Sequence, residues 1–187
     1  MKPSGQAASK RRAMNAKALS AFGLCPRQSQ AGLCMRTIRE GAGPTIFTIG
    51  YERRDGDELI SLLLDAGVEM LVDIREKPIS RKPDFRPAAL QARCQVVGID
   101  YEQMPELGSP ENARKTLDET GDIEAFRRRF AAYVRKHLNT PLDHLTELAK
   151  ARPVALLCYE RCHEDCHRSI IADSVADRLK GGVVAII

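Results

Sequence analysis

The 187-residue sequence contains no tryptophan, and aromatic residues make up only 5% of it. Apolar runs stay well below the roughly 18–20 residues of a membrane-spanning helix, which excludes a transmembrane protein and favours a cytoplasmic one. Six cysteines are too few for a disulfide scaffold. No glycine-rich or aromatic fingerprint points to a particular cofactor. With 43% hydrophobic residues the chain can bury its own core, which excludes collagen-like, mucin-like and wholly disordered proteins.

The net charge of +4 is distributed unevenly along the chain. Residues 1–43 contain eight lysines and arginines and one acid, Glu40, whereas residues 44–187 contain 21 basic and 24 acidic residues. We predict that residues 1–43 form a basic, disordered extension and that residues 44–187 form the folded domain. An organelle transit peptide, a nucleic-acid-binding tail and a true start at Met35 are alternative explanations of the basic segment.

The hydrophobic pattern of residues 44–187 predicts alternating strands and helices. Apolar, β-branched runs indicate strands at 45–50, 68–74, 99–101, 154–158 and 183–187. Helical spacing indicates helices at 57–66, 87–97, 123–138, 142–149 and 170–179. The segment 104–120 is expected to be polar and turn-rich. The alternation predicts a single three-layer α/β domain, in which helices flank a mainly parallel sheet.

Polar side chains follow three of the predicted strands at the point where each strand ends. They are Tyr51, the segment Asp73–Arg75 and the segment Cys158–Glu160. In open α/β sheets, ligands bind in the crevice beyond the carboxyl ends of the strands. The sequence therefore predicts a binding crevice at this edge, with Arg81 supplied by a neighbouring basic loop.

The segment Cys158–Arg168 is the densest in reactive side chains and has three interpretations. The first is anion binding, because free N–H groups at a helix start and the planar guanidinium of Arg168 suit phosphate or carboxylate. The second is metal binding, although the C-x3-C-x3-C spacing matches no common zinc pattern. The possible ligands are Cys158, Glu160, Cys162, His163, Cys166 and His167.

The third interpretation is a cysteine nucleophile. Cys162 to Arg168 fits the C-x5-R pattern of cysteine phosphatases, but the loop lacks glycine and carries two acids that would repel phosphate. Cys166 is the better thiolate candidate, because a helix N-terminus and nearby cations lower the pKa of a thiol.

Several short motifs occur in a fixed order over residues 45–187. They are Thr48-Ile49-Gly50, Asp73-Ile74-Arg75 with Pro78, Ser80-Arg81 and Phe85, then Tyr101, Leu107-Gly108, Cys158-x-Glu160 and Cys166-His167-Arg168-Ser169. This combination resembles the DUF488 family. The resemblance implies a compact α/β domain of bacterial or archaeal type, and it supplies no activity. Cys162 and His163 fall at positions that vary in the family, and residues 1–43 have no counterpart there.

We therefore predict a domain that binds a small anionic ligand, such as a nucleotide or another phosphorylated metabolite, with hydrolysis or group transfer as candidate reactions. The predicted ligand-binding residues are Arg75, Ser80, Arg81, Arg168 and Ser169. The predicted catalytic residues are Asp73, Glu160, Cys166 and His167.

Two alternative functions remain open. A metal-binding or thiol-redox protein would use Cys158, Cys166 and His167, with Cys162 or Glu160 as a further ligand. A non-enzymatic module that binds nucleic acid or a protein partner would use the basic extension and the run Arg127–Arg129.

Overall fold

Residues 35–187 fold around a six-stranded sheet whose central strands are aliphatic and β-branched. The computed structural model describes these residues, apart from the side chains of residues 116 and 118–120. The strands are β1 (Arg36–Arg39), β2 (Thr45–Gly50), β3 (Met70–Asp73), β4 (Asp100–Gln103), β5 (Val154–Cys158) and β6 (Val183–Ile186). Their order is β1-β6-β2-β5-β3-β4. The β1–β6 pair is antiparallel and the other pairs are parallel, which confirms the predicted α/β class.

Six α-helices accompany the sheet within the same residues. They are α1 (Gly56–Asp65), α2 (Pro87–Val96), α3 (Glu111–Thr120), α4 (Ile123–His137), α5 (Asn139–Ala151) and α6 (Arg168–Arg178). Side-chain caps fix two of the starts, because carboxylates accept hydrogen bonds from free backbone N–H groups. Asp55 caps α1 and Asp122 caps α4, each at 2.8 Å. Over residues 35–187, no helix is both long enough and apolar enough to cross a membrane.

Two hydrophobic cores lie on opposite faces of the sheet, because successive strand residues point to opposite sides. On one face, strand residues such as Val72 and Leu156 pack with buried residues of α4, α5 and α6. On the other, Leu71 and Leu157 pack with buried residues of α1 and α2. Helices therefore cover both faces of the central strands, in the three-layer arrangement expected for parallel sheets.

The structure differs from the sequence-based expectation in two segments. Residues 36–39, which we placed in the basic extension, form the edge strand β1, and Arg39 bonds the carboxylate of Asp177 on α6 at 2.7 Å. Residues 1–34 lie outside the described part of the chain. The segment expected to be turn-rich contains α3, a polar helix that begins after Pro110 and ends at Gly121, where φ is 65°. A left-handed glycine directly after the last helical residue is a helix-end signal that the sequence contains.

The central strand β5 sets the position of the site. It lies between β2 and β3, with Cys158 opposite Gly50 and Leu157 opposite Asp73. The chain after β5 passes directly over the end of β2, because a Cβ built on Gly50 would lie 1.9 Å from the carbonyl oxygen of Glu160. Glycine at this position therefore allows the loop between β5 and α6 to close down on the sheet edge.

Candidate functional site

Four potential ligand side chains converge beyond the end of β5. Cys158 ends the strand, Glu160 follows two residues later, and Cys166 and His167 directly precede α6. One ligand atom from each of the four lies within 4.8 Å of the others. Cys158, Cys166 and His167 are buried, and Glu160 is half-buried. The four side chains are called the Cys–Glu–His cluster below.

The carboxylate and the imidazole both face the two sulfurs. Oε2 of Glu160 lies 3.1 Å from Sγ of Cys158 and 3.0 Å from Sγ of Cys166. Nδ1 of His167 lies 3.6 Å from the first sulfur and 3.8 Å from the second. Nε2 of His167 lies 3.1 Å from the carbonyl oxygen of Ile74. Because a carbonyl oxygen can only accept, Nε2 carries a hydrogen, and Nδ1 is the nitrogen that faces the cluster.

Contacts within the cluster lower the pKa of the Cys166 thiol and raise the pKa values of Cys158 and Glu160. Burial disfavours the Cys166 thiolate, but the hydrogen bond with Cys158 and the positive charge of Arg168 and His167 outweigh it and hold the pKa well below its usual range. The contact with Cys166, together with burial, raises the pKa of Cys158 well above its usual range. Burial and the negative charge of Cys166 raise the pKa of Glu160 to about 7. The cluster therefore combines an acidic thiol with a carboxyl group that protonates readily.

His167 gains a proton more readily than an ordinary histidine. Burial lowers its pKa, but the negative charge and hydrogen bond of Cys166 and the charge of Glu160 outweigh burial and raise it.

Arg168, to which we assigned a ligand-binding role, contacts the loop between β5 and α6. Its side chain is 0% exposed and lies behind the cleft described below. One terminal nitrogen donates to the carbonyl oxygen of Glu160, and the other donates to that of Arg161 at 3.0 Å. Its Nε is buried and has no hydrogen-bond partner among the described residues. Because the loop turns two carbonyl groups inwards, the guanidinium is drawn away from solvent to bind them.

Ser169, a further predicted ligand-binding residue, forms hydrogen bonds with Cys166 and Arg127. Its hydroxyl group donates to the carbonyl oxygen of Cys166 at 2.8 Å and accepts a hydrogen bond from Arg127 at 2.8 Å. Arg127 further donates to the carbonyl oxygen of Glu164 at 2.8 Å. The first arginine of the Arg127–Arg129 run is thus engaged in holding the loop.

Asp73 and Arg75 form a buried ion pair at the neighbouring strand end. The carboxylate of Asp73 accepts hydrogen bonds from Nε of Arg75 at 2.7 Å and from the hydroxyl of Tyr101 at 2.8 Å. Arg75 also donates to the hydroxyl of Tyr51 at 3.0 Å. Burial lowers the pKa of Arg75, but the hydrogen bond and charge of Asp73 outweigh burial and raise it. Arg75 borders the cleft, whereas Asp73 lies behind it with its oxygens occupied by these donors.

A cleft of about 530 Å³ opens onto the Cys–Glu–His cluster. Cys158, Glu160 and His167 line it, and Cys166 lies behind them. The predicted residues Ser80 and Arg81 line it as well. Lys82, which the basic loop was also expected to bring to an anion, lines the cleft too. Three further lining residues come from the loops after β3 and β4 and from α3, and sequence reasoning assigned no role to them: Lys77, Ser109 and Arg114. Ser109 and Arg114 were missed because their segment was expected to be turn-rich.

Cys162 and His163 lie outside the Cys–Glu–His cluster. The sulfur of Cys162 contacts Oε2 of Glu164 at 3.4 Å. His163 is buried, and its Nδ1 bonds the hydroxyl of Thr48 at 2.9 Å; burial lowers its pKa to about 4. The sequence left Cys162 and Glu160 open as the further ligand, and of these two the loop brings Glu160 to the sulfurs.

The fold and the cluster define an α/β protein with thiol, imidazole and carboxylate groups gathered at the carboxyl edge of its sheet. The family model described as Domain of unknown function DUF488 matches residues 55–175, which confirms the resemblance. The chain belongs to this family. No curated protein and no solved structure matches the sequence.

Proposed function

We propose that the protein binds one metal ion of the zinc class through Cys158, Glu160, Cys166 and His167. The convergence of four ligand atoms within 4.8 Å of one another is the observation that carries the proposal. Two sulfurs, one imidazole nitrogen and one carboxylate oxygen are a ligand set that suits Zn²⁺. Cys158 ends β5, and Cys166 and His167 directly precede α6, so the fold itself holds three of the four residues.

The spacing of the ligand atoms supports a tetrahedral site. With Zn–S about 2.3 Å and Zn–N about 2.0–2.1 Å, a sulfur and a nitrogen ligand are about 3.6 Å apart. Nδ1 of His167 is 3.6 and 3.8 Å from the two sulfurs. The Glu160 oxygen is closer to the sulfurs, at distances that suit a shared thiol proton. The metal would replace the thiol protons and move this oxygen outwards by about half an ångström.

The outer nitrogen of His167 gives independent support. Histidine ligands usually donate their second N–H to a carbonyl or a carboxylate, which fixes the ring and the tautomer. The contact from Nε2 of His167 to the carbonyl oxygen of Ile74, at 3.1 Å, has this form. Ile74 directly follows β3, so a second strand orients the ligand.

Metal content tests the proposal most directly. We would purify the protein under reducing conditions without a polyhistidine tag and measure its metals by mass spectrometry. We expect about one equivalent of zinc in the wild type and a loss of metal in Cys166→Ser and His167→Gln. Cys162→Ser is the matched control, because Cys162 lies in the same loop but outside the cluster. Its metal content should equal that of the wild type.

Cobalt substitution keeps the test informative if a ligand variant fails to fold. Co²⁺ added to metal-free wild-type protein should give the visible absorption of a tetrahedral ion and a sulfur-to-cobalt charge-transfer band. A wild type that neither retains zinc nor takes up zinc or cobalt would refute the proposal. Unchanged metal content in folded Cys166→Ser would refute it equally.

A further inference from the structure

We infer that the cleft beside the Cys–Glu–His cluster binds a phosphate ester with a flat or apolar organic group, in the size range of a mononucleotide. This inference deepens the proposed function and rests on it in one respect: the cleft gives the ligand access to the proposed metal ion. The cleft volume of about 530 Å³ lies within the roughly 300–1,000 Å³ of small-molecule sites. Three features of the cleft lining then indicate the class of ligand: its excess positive charge, a hydroxyl group without a partner in the described structure, and exposed apolar side chains.

The cations that line the cleft differ in how they are neutralised. Three of them are ion-paired: Arg75 with Asp73, Lys77 with Glu111, and Arg114 with Glu76. The other two, Arg81 and Lys82, have no carboxylate partner among residues 35–187.

Arg81 is the cation available to a ligand. It is exposed and forms no hydrogen bond within the described residues, whereas Lys82 donates to the carbonyl oxygens of Tyr51 and Arg54 at 3.3 and 2.7 Å. Two acidic residues, Glu160 and Asp165, also line the cleft, and Glu160 is a ligand of the proposed metal. Asp165 therefore balances one of the two unpaired cations, and one positive charge remains. This excess favours an anion.

Ser109 supplies a second and independent indication of a ligand. It is 1% exposed and lines the cleft, and its hydroxyl oxygen is buried without a hydrogen-bond partner in the described structure. A buried hydroxyl group without a partner costs free energy, so its partner is expected to arrive with a ligand. The carbonyl oxygen of the same residue accepts hydrogen bonds from Arg114 at 3.1 and 2.9 Å, which fixes this wall of the cleft. A phosphate oxygen can accept from the Ser109 hydroxyl and from Arg81.

The rim of the cleft explains why the ligand should carry an organic group. Ile79 is 85% exposed and Tyr159 is 48% exposed, and both line the cleft. Tyr159 packs edge-on against Tyr51, with ring centroids 5.3 Å apart, so its ring is supported from within. Isolated apolar side chains on a surface are common, but two beside one basic cleft form a surface on which a planar group can pack.

Calorimetric binding to the protein as purified, with its metal content measured in the same sample, tests this inference. The probes are adenosine monophosphate, inorganic phosphate and adenosine. We expect the monophosphate to bind more tightly than either fragment. Arg81→Ala should weaken both the monophosphate and phosphate by about 10–100-fold, because a charge-assisted hydrogen bond is lost. Tyr159→Ala should weaken the monophosphate and leave phosphate unchanged.

Arg86→Ala is the matched control, because Arg86 is an exposed cation five residues from Arg81 and lies outside the cleft lining. It should bind all three probes as the wild type does. No saturable binding of either phosphate probe, or equal losses in the two arginine variants, would overturn the inference. Metal-loaded protein that binds neither probe would overturn the inference alone. Protein that binds the monophosphate but neither retains zinc nor takes up zinc or cobalt would overturn the proposed metal site alone.

Discussion

The buried pair of Asp73 and Arg75 permits a prediction with a defined magnitude. Replacing Asp73 by alanine removes the ion partner of Arg75, whose side chain is only 6% exposed. The change also removes the acceptor for the hydroxyl of Tyr101, 2.8 Å away. Asp73→Ala therefore leaves a positive charge and a phenol without the carboxylate that they share.

Breaking a buried ion pair from one side costs about 3–5 kcal/mol, because the remaining charge stays buried and uncompensated. We expect Asp73→Ala to lower the free energy of unfolding by this amount, a large part of the roughly 5–15 kcal/mol that stabilises an ordinary domain. Tyr101→Phe removes one hydrogen bond to the same carboxylate and should cost about 1–2 kcal/mol.

Urea unfolding at neutral pH measures these differences. The double variant Asp73→Ala/Arg75→Leu should be more stable than Asp73→Ala, because it removes the orphaned charge together with its partner. The zinc content of folded Asp73→Ala should equal that of the wild type, since neither residue belongs to the Cys–Glu–His cluster. A loss below about 1 kcal/mol, or additive single and double variants, would refute the assignment of Asp73 as the partner of a buried charge.

Three further predictions concern the core and the loop. Burial raises the pKa of Cys94 from 9.0 to about 11, so folded protein keeps this proton longer than unfolded protein does. The resulting stabilisation, about 2–3 kcal/mol, should disappear as the pH rises from 9 to 11. Cys94→Ala should lose less stability over that window in urea unfolding. Thr48→Val removes the partner of buried His163 and should cost about 1–3 kcal/mol, with Thr48→Ser as the milder control. Gly50→Ala should displace the Glu160 carbonyl and lower zinc affinity in a chelator competition, and wild-type affinity would contradict this account of the loop.

Local patterns were sufficient to predict most of the fold. The continuous apolar run at 154–158 predicts a strand covered on both faces, and β5 has the two cores on either side of it. β1 was not predicted because it has arginine at each end and lacks an apolar pattern. It is an edge strand that depends on pairing with β6. α3 was not predicted because its residues are mainly polar. β1 thus depends on a strand that is distant in sequence, whereas α3 packs against α4, the next helix along the chain.

The candidate site could be predicted only in part, because the strand ends give the backbone positions of the residues but not the directions of their side chains. Cys158, Glu160, Cys166 and His167 meet at the predicted sheet edge. Their functional roles stay predictions. Arg168 is the first residue of a helix, and helix starts commonly bind anions. Its side chain nevertheless turns inward and donates to two loop carbonyl groups. That direction depends on how the loop closes over Gly50, a tertiary contact that spacing does not encode.

Arg168 also explains how the proposed metal centre, which would be negatively charged, would be tolerated in the interior. With two thiolates, a carboxylate and a neutral imidazole, a bound Zn²⁺ would leave the centre with a charge of about −1. A buried charge of this kind needs a fixed partner. Arg168 is fully buried next to the cluster and has no carboxylate partner among the described residues. Because its charge balances that of the proposed centre, the arginine that holds the loop also makes the ligand set electrostatically acceptable, without occupying the cleft in which the phosphate ester would bind.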